Sequence, residues 1–203
     1  MDSVTSFIYG MSMMFFSMMA FLFWRKGKEM LFRMIMWLMI VVDLQLVKDM
    51  VFFLIYGFDN EHAWYLTSSL DMMIIPFYSF VLMELVKPGW FGWVKALMLE
   101  LPFLLLPVFY IFTHNIIWFY VLSAWGAIYG FSTFILLFFM IRRYHRQLKE
   151  RFSYQENINL NWLLAILNTF FLILFLWTLS CFVINVDYDN IYMVSSLILW
   201  MLI

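Results

Sequence analysis

The chain has 203 residues, of which 66% are hydrophobic and 12% charged, with mean hydropathy +0.91 and formal net charge −1. A soluble domain is nearer half apolar and a quarter charged. Divided among about seven spans of roughly 20 residues each, this length leaves nothing for an aqueous lobe, so catalysis in a folded soluble domain is excluded for the chain as given.

The first apolar run extends from about Val4 to Trp24 and is followed by Arg25, Lys26 and Lys28. It opens on Asp2 instead of a basic stretch, so it reads as a retained span with a stop-transfer cluster, not as a cleaved signal peptide. Further spans are predicted at about 34–57, 64–86, 94–113, 116–141 and 160–184. A seventh starts near Ile191 and ends at Ile203, about 13 residues, too short for a hydrocarbon core of about 30 Å. The expectation is a truncated last helix. The chain then reads as a single membrane domain, 1–203, belonging to a longer protein.

Orientation follows from the cations. Eleven of the twelve Lys and Arg residues fall in the clusters Arg25–Arg33, Lys87–Lys95 and Arg142–Arg151. The alternate breaks, around Phe58–His62, His114–Asn115 and Asn185–Asn190, hold none. By the positive-inside rule the basic loops are cytoplasmic and the N-terminus is outside. The expectation is an all-α seven-span bundle in a bacterial inner membrane, with the lipid bilayer as its first partner.

The second span carries Asp43, Gln45, Lys48 and Asp49. Each charge costs roughly 2.5–3.5 kcal/mol at a helix centre, so this span needs partners. Gln45, Lys48 and Asp49 share a face at i, i+3, i+4, while Asp43 points elsewhere. That pattern predicts a central helix with polar contacts on two sides. In the third span Thr67, Ser68 and Asp71 share a face at a depth matching Lys48 within about one turn. A Lys48–Asp71 contact is expected. It is either a structural lock between two spans or a ligand or ion pocket, since intramembrane ionisable residues mark functional sites.

Pro76 follows and removes the bond to the carbonyl of Met72. Pro102 and Pro107 interrupt the fourth span behind Glu100, so Pro76, Pro102 and Pro107 are hinge candidates, with static kinks as the plainer alternative. Glu84 is expected to reach headgroups or Lys87. In the fifth span, Gly126 and Gly130 form a GxxxG motif, which serves packing within the chain or a homodimer.

Chemistry-bearing motifs are absent. There is no HExxH, GxSxG or Walker loop, and no Cys/His cluster at metal spacing, so neither an enzyme, a metal site nor a cofactor is expected. Cys181 is the single cysteine and forms no intrachain disulfide.

The longest inner connector reads RRYHRQLKERFSYQENINLNWL, 142 to 163. Tyr144, Leu148 and Phe152 repeat at i, i+4, i+8, so the fifth helix extends beyond the membrane with one apolar stripe. Ser153 to Glu156 fits a capping box restarting a helix before Trp162. The string with Tyr144, Lys149, Phe152, Ser153, Glu156, Ile158, Leu160, Trp162 and Leu163 resembles the connector before the penultimate span of multi-span membrane regulators of Bacteroidetes. The resemblance covers the layout of most of the chain, but its specific motif spans only about twenty residues. Such regulators place a cytoplasmic AraC-type helix-turn-helix domain, or in some relatives a histidine kinase, after about seven helices. The resemblance implies a sensory, signal-transducing module of a transcription regulator, answering a periplasmic stimulus or small ligand. Nucleic acid would be contacted only through a C-terminal domain absent here. The alternative expectation is a small-solute or ion transporter using the Lys/Asp cluster.

Overall fold

The computed structural model describes residues 3–57, 60–151, 161–182 and 186–201, with the side chains at 145, 147–151, 161 and 186 outside that set. Every regular element among the described residues is helical. The helices are α1 (Ser3–Lys26), α2 (Met30–Tyr56), α3 (Glu61–Asp71), α4 (Ile75–Val86), α5 (Trp93–Thr113), α6 (Ile116–Arg151), α7 (Asn161–Phe182) and α8 (Val186–Met201). A single 3₁₀ turn, Met72–Ile74, joins α3 to α4. Five segments are long and apolar enough to cross a bilayer: α1, the combined Glu61–Val86 segment, α5, α6 over Ile116–Tyr144, and α7 over Trp162–Phe182. Of the other two, α2 carries Asp43, Lys48 and Asp49, and α8 has 16 residues. The protein is therefore a multi-pass membrane protein.

Short polar turns reverse the chain, and their side chains cap the helices they begin. Asn60 Oδ1 accepts the Ala63 N–H at 3.1 Å and Asn115 Oδ1 accepts the Ile117 N–H at 3.0 Å, satisfying donors orphaned at the starts of α3 and α6. Glu84 differs from its expected course toward headgroups. Its carboxylate turns inward, accepting the Gly89 N–H at 2.7 Å and the Phe91 N–H at 2.9 Å. Gly89 has φ +80, a left-handed conformation that suits glycine in this tight turn.

One expectation is overturned. The central element is not α2 but the Glu61–Val86 segment, in whose most apolar window 67% of residues are buried, against 17–28% in the other four spans. It touches α2, α5, α6 and α7, whereas α1, α2, α7 and α8 lie round one side. Leu44, Val47, Val51 and Leu54 of α2 face outward. The reason is compositional: small and hydroxylated residues of α3 (Ala63, Thr67, Ser68, Ser69) let neighbours approach closely, which is what drives association where lipid is as apolar as leucine. The expected two-sided polar contacts of α2 are nonetheless present, because they need only two neighbours.

Besides a small cluster of Ile8, Tyr9, Phe53, Trp64 and Met193, two larger apolar clusters hold the bundle. One joins Leu38, Tyr78, Phe170, Ile173, Leu197 and Trp200 toward the end carrying the basic clusters. Within it Phe170 and Trp200 stand 4.9 Å apart, edge to face, and Tyr78 meets Phe170 at 5.4 Å. The other joins Met72, Ile75, Phe103, Phe119 and Leu122. Here Gly126 serves packing within the chain: a Cβ at that position would lie 3.1 Å from Ile75 Cδ1, while one at Gly130 would meet nothing within 4 Å. Pro102 and Pro107 lie inside an uninterrupted α5.

Candidate functional site

The site is built around the break between α3 and α4. Pro76 has no N–H to give the Met72 carbonyl, so the Ile75 N–H takes that carbonyl in a tighter 3₁₀ bond. Carbonyls near the break turn toward α2. Gln45 Nε2 donates to the Asp71 carbonyl at 3.3 Å and reaches the Leu70 carbonyl at 3.5 Å. One turn further, Lys48 Nζ donates to the Thr67 carbonyl at 3.0 Å. Side chains of one helix thus satisfy the backbone of an interrupted neighbour, the condition for irregular backbone at membrane depth.

Lys48 Nζ also lies 2.7 Å from Asp71 Oδ1 and 2.9 Å from Asp49 Oδ1. The first is an aligned hydrogen-bonded ion pair. The second is close but off-axis, so Asp49 Oδ1 has an ion contact and no hydrogen-bond donor. That geometry fits residues adjacent in sequence, whose side chains diverge on a helix. The three side chains are 14–19% exposed. Asp43, on the other side of α2, accepts a hydrogen bond from Ser17 of α1.

Beside this pair lies a cavity of about 90 Å³ bounded by α1, α2, α3, α4, α7 and α8. Its polar lining includes Gln45, Asp49, Thr67, Ser68, Asp71, Tyr9, Ser180 and Asp189. The volume holds more than one water, and enough polar partners surround it to keep water there. The Tyr9 hydroxyl donates to Asp189 Oδ2 at 3.1 Å and Ser180 Oγ donates to Oδ1 at 3.4 Å. Asn190 Nδ2 donates to Thr5 Oγ1 at 2.9 Å, tying α8 to α1. Trp64 Nε1 donates to the Cys181 carbonyl at 3.2 Å, tying α3 to α7. Ile74, Tyr78 and Ile173 are apolar lining that also belongs to the large cluster, so hydrophobic packing closes the cavity on that side.

The sequence expectation brings together Gln45, Lys48, Asp49, Thr67 and Asp71, and these residues do meet. Asp43 stands apart, on the α1 side. Pro76 sits at the helix break, while Pro102 and Pro107 lie in α5, which does not bound the cavity. Tyr144 is exposed on α6 and Trp162 is exposed at the start of α7. Leu148 belongs to α6, but its side chain, together with Phe152 and Glu156, lies outside the described residues. Asp189 and its partner Tyr9 escaped the sequence reading. The stretch 185–190 reads as a polar loop, but residues 186–190 form the start of α8 and carry Asp189 into the bundle. The missed signal was acidic residues in a first helical turn, which complement the helix dipole.

Among the described residues no group of three or more His, Cys, Asp or Glu is arranged to hold a metal ion. No family model, curated protein or solved structure matches the chain.

Proposed function

We propose that the protein is the membrane-embedded sensory module of a bacterial inner-membrane regulator, with seven spans, the N-terminus outside and the basic loops in the cytoplasm. The observation that carries this reading is the polar cavity at the α3–α4 break, which touches six helices and is closed toward the basic end by packed aromatics. A ligand or charge entering it acts on Asp49, Asp71 and Asp189 at once, on Lys48 through its ion pairs with the first two, and so on the relative positions of α1, α2, α3, α7 and α8. It shifts the bundle only by binding one arrangement more tightly than another. The outlet would be α6, whose 36 residues measure about 54 Å, well beyond a hydrocarbon core of about 30 Å. The output would be an AraC-type helix-turn-helix or kinase domain following residue 203, as the resemblance of the 142–163 connector implies.

A second reading, transport of a small solute or ion, is favoured by one specific feature: an interrupted helix with charged side chains at its break is the architecture of coupling-ion sites. Two parallel measurements decide between them. Spin labels at positions 87 and 146, in a Cys181→Ser background in nanodiscs, report whether Asp71→Asn or Pro76→Ala moves the basic end. Proteoliposome flux reports whether ions or solutes cross in a Lys48-dependent way. Altered label distances without flux support sensing; unchanged distances overturn it, and Lys48-dependent flux establishes transport. Thiol labelling from outside intact cells tests orientation: strong labelling at position 28 or 146 reverses the topology.

A further inference from the structure

At the opposite end of α2 from the Lys48 cavity lies a second recess. It is bounded by α2, α4 and the segment leading into α5, has a volume of about 500 Å³ and is almost wholly apolar. Its walls include Met34, Trp37 and Val41 of α2 and Phe77, Phe80 and Val81 of α4. Phe91, on the turn that Glu84 clamps through the Gly89 and Phe91 amides, and Trp93, the first residue of α5, complete its lining. From Met30 to Val41 the groove follows α2 for about 16 Å, beginning at the basic end and running into the hydrocarbon region. Trp37 and Trp93, both more than half exposed, flank it as interfacial anchors.

One cation lines this otherwise apolar groove. Arg33 is exposed on the first turn of α2, and its guanidinium touches Met30 Sδ at 3.8 Å. It forms no ion pair with any carboxylate among the described residues. A guanidinium at a bilayer surface, above an apolar slot that descends into the membrane, matches one chemistry: an acyl chain joined to an anionic phosphate. Arg supplies planar paired donors for a phosphate, and each cation near the surface adds roughly 1 kcal/mol of attraction to anionic lipid. A second copy of the chain would bring the same basic end toward Arg33, where Lys and Arg outnumber carboxylates such as Glu29, so its net charge there repels instead of complementing.

We infer that this groove is a binding site for an anionic phospholipid of the bilayer, with its phosphate on Arg33 and one acyl chain along Trp37, Val41, Phe77 and Val81. The site is separate from the Lys48 cavity and does not depend on how that cavity is used.

The test is native mass spectrometry of the full chain released from detergent in the presence of phosphatidylglycerol or phosphatidylcholine with identical acyl chains. The parent should retain phosphatidylglycerol about fivefold better, the equivalent of roughly 1 kcal/mol. Arg33→Gln should remove that preference and Arg33→Lys should keep part of it. Arg142→Gln, which removes a cation at the same end but outside the groove, should leave it intact. Val41→Trp should fill the slot and abolish retention of both lipids while the melting temperature stays near the parent's. Should Val41→Trp unfold, the Arg33 pair against Arg142→Gln still decides. Equal retention of the two lipids by the parent, an unchanged preference in Arg33→Gln, or a groove-dependent dimer with no bound lipid overturns the assignment.

Discussion

The two halves of this bundle are held together differently. Near the acidic end, apolar packing around Phe119 and Trp64 is joined by directional contacts between helices: Lys48 with Asp71, Gln45 with the Asp71 carbonyl, Tyr9 with Asp189, and Asn190 with Thr5. Toward the basic end they meet through close-packed rings and aliphatic side chains around Tyr78, Phe170 and Trp200. Packing of that kind tolerates little displacement, because attraction between apolar atoms falls off within an ångström. Hydrogen bonds and ion pairs around a cavity with room for water can exchange partners at smaller cost. Under the proposed sensing function, the polar half is where a stimulus would act and the apolar half is what would carry the displacement.

The comparison breaks first at Lys48. Lys48→Met leaves Asp71 and Asp49 facing each other without a cation, and stability in detergent should fall by about 3–5 kcal/mol, the cost of orphaning a buried charge. The double change with Asp71→Asn should recover part of that loss, giving a non-additive cycle in thermal unfolding. Strict additivity would show that the pair contributes nothing as a pair.

Phe170→Ala tests the apolar half. It removes contacts with Tyr78 and Trp200 and should cost about 3 kcal/mol, at the low end for a buried phenylalanine. The spin-label distances between positions 87 and 146 should broaden in this variant. If they stay sharp, the aromatic cluster is not what makes the basic end rigid.

Tyr9→Phe sharpens the role of Asp189. It deletes one donor to a carboxylate that keeps Ser180, so the expected loss is about 1 kcal/mol. Asp189→Asn combined with Tyr9→Phe should cost less than the sum of the two. A Tyr9→Phe protein melting with the parent would remove Tyr9 from the polar network and leave Thr5 to tie α1 to α8.

The smallest effect separates the two glycines of α6. Gly130→Ala meets open space and should stabilise by about 0.5–1 kcal/mol through reduced backbone freedom. Gly126→Ala gains the same helix preference but must displace Ile75 Cδ1, so its gain should be smaller or reversed. Equal melting shifts would mean that Gly126 is not a packing position.

Much of this architecture was readable from residue order alone. Helix rise is constant, so the matched depths of Lys48 and Asp71 placed them opposite one another before any fold was known. Helical periodicity put Gln45, Lys48 and Asp49 on a shared face and sent Asp43 elsewhere, and both contacts are present. Proline chemistry located the break at Pro76, and apolar run length located the five segments long and apolar enough to cross a bilayer. The i, i+4 reading extended the fifth predicted span beyond the membrane, and α6 continues to Arg151.

Tertiary structure decided what depends on contacts distant in sequence. Charge in α2 argued for a central helix, yet the small residues of α3 permit closer approach, so the Glu61–Val86 segment takes the centre. Asp189 lies 180 residues from Tyr9, and only the packing of α8 on α1 brings the two together. A carboxylate near a helix end is written the same way whether it faces water or a cavity. Glu84 shows this as well: local order places it near the basic end, but the turn at Gly89 folds two backbone amides over its carboxylate. Local order determines which side chains share a face and a depth, because helix geometry is fixed. Which helix that face meets is set by packing among all the helices, a property no single segment carries.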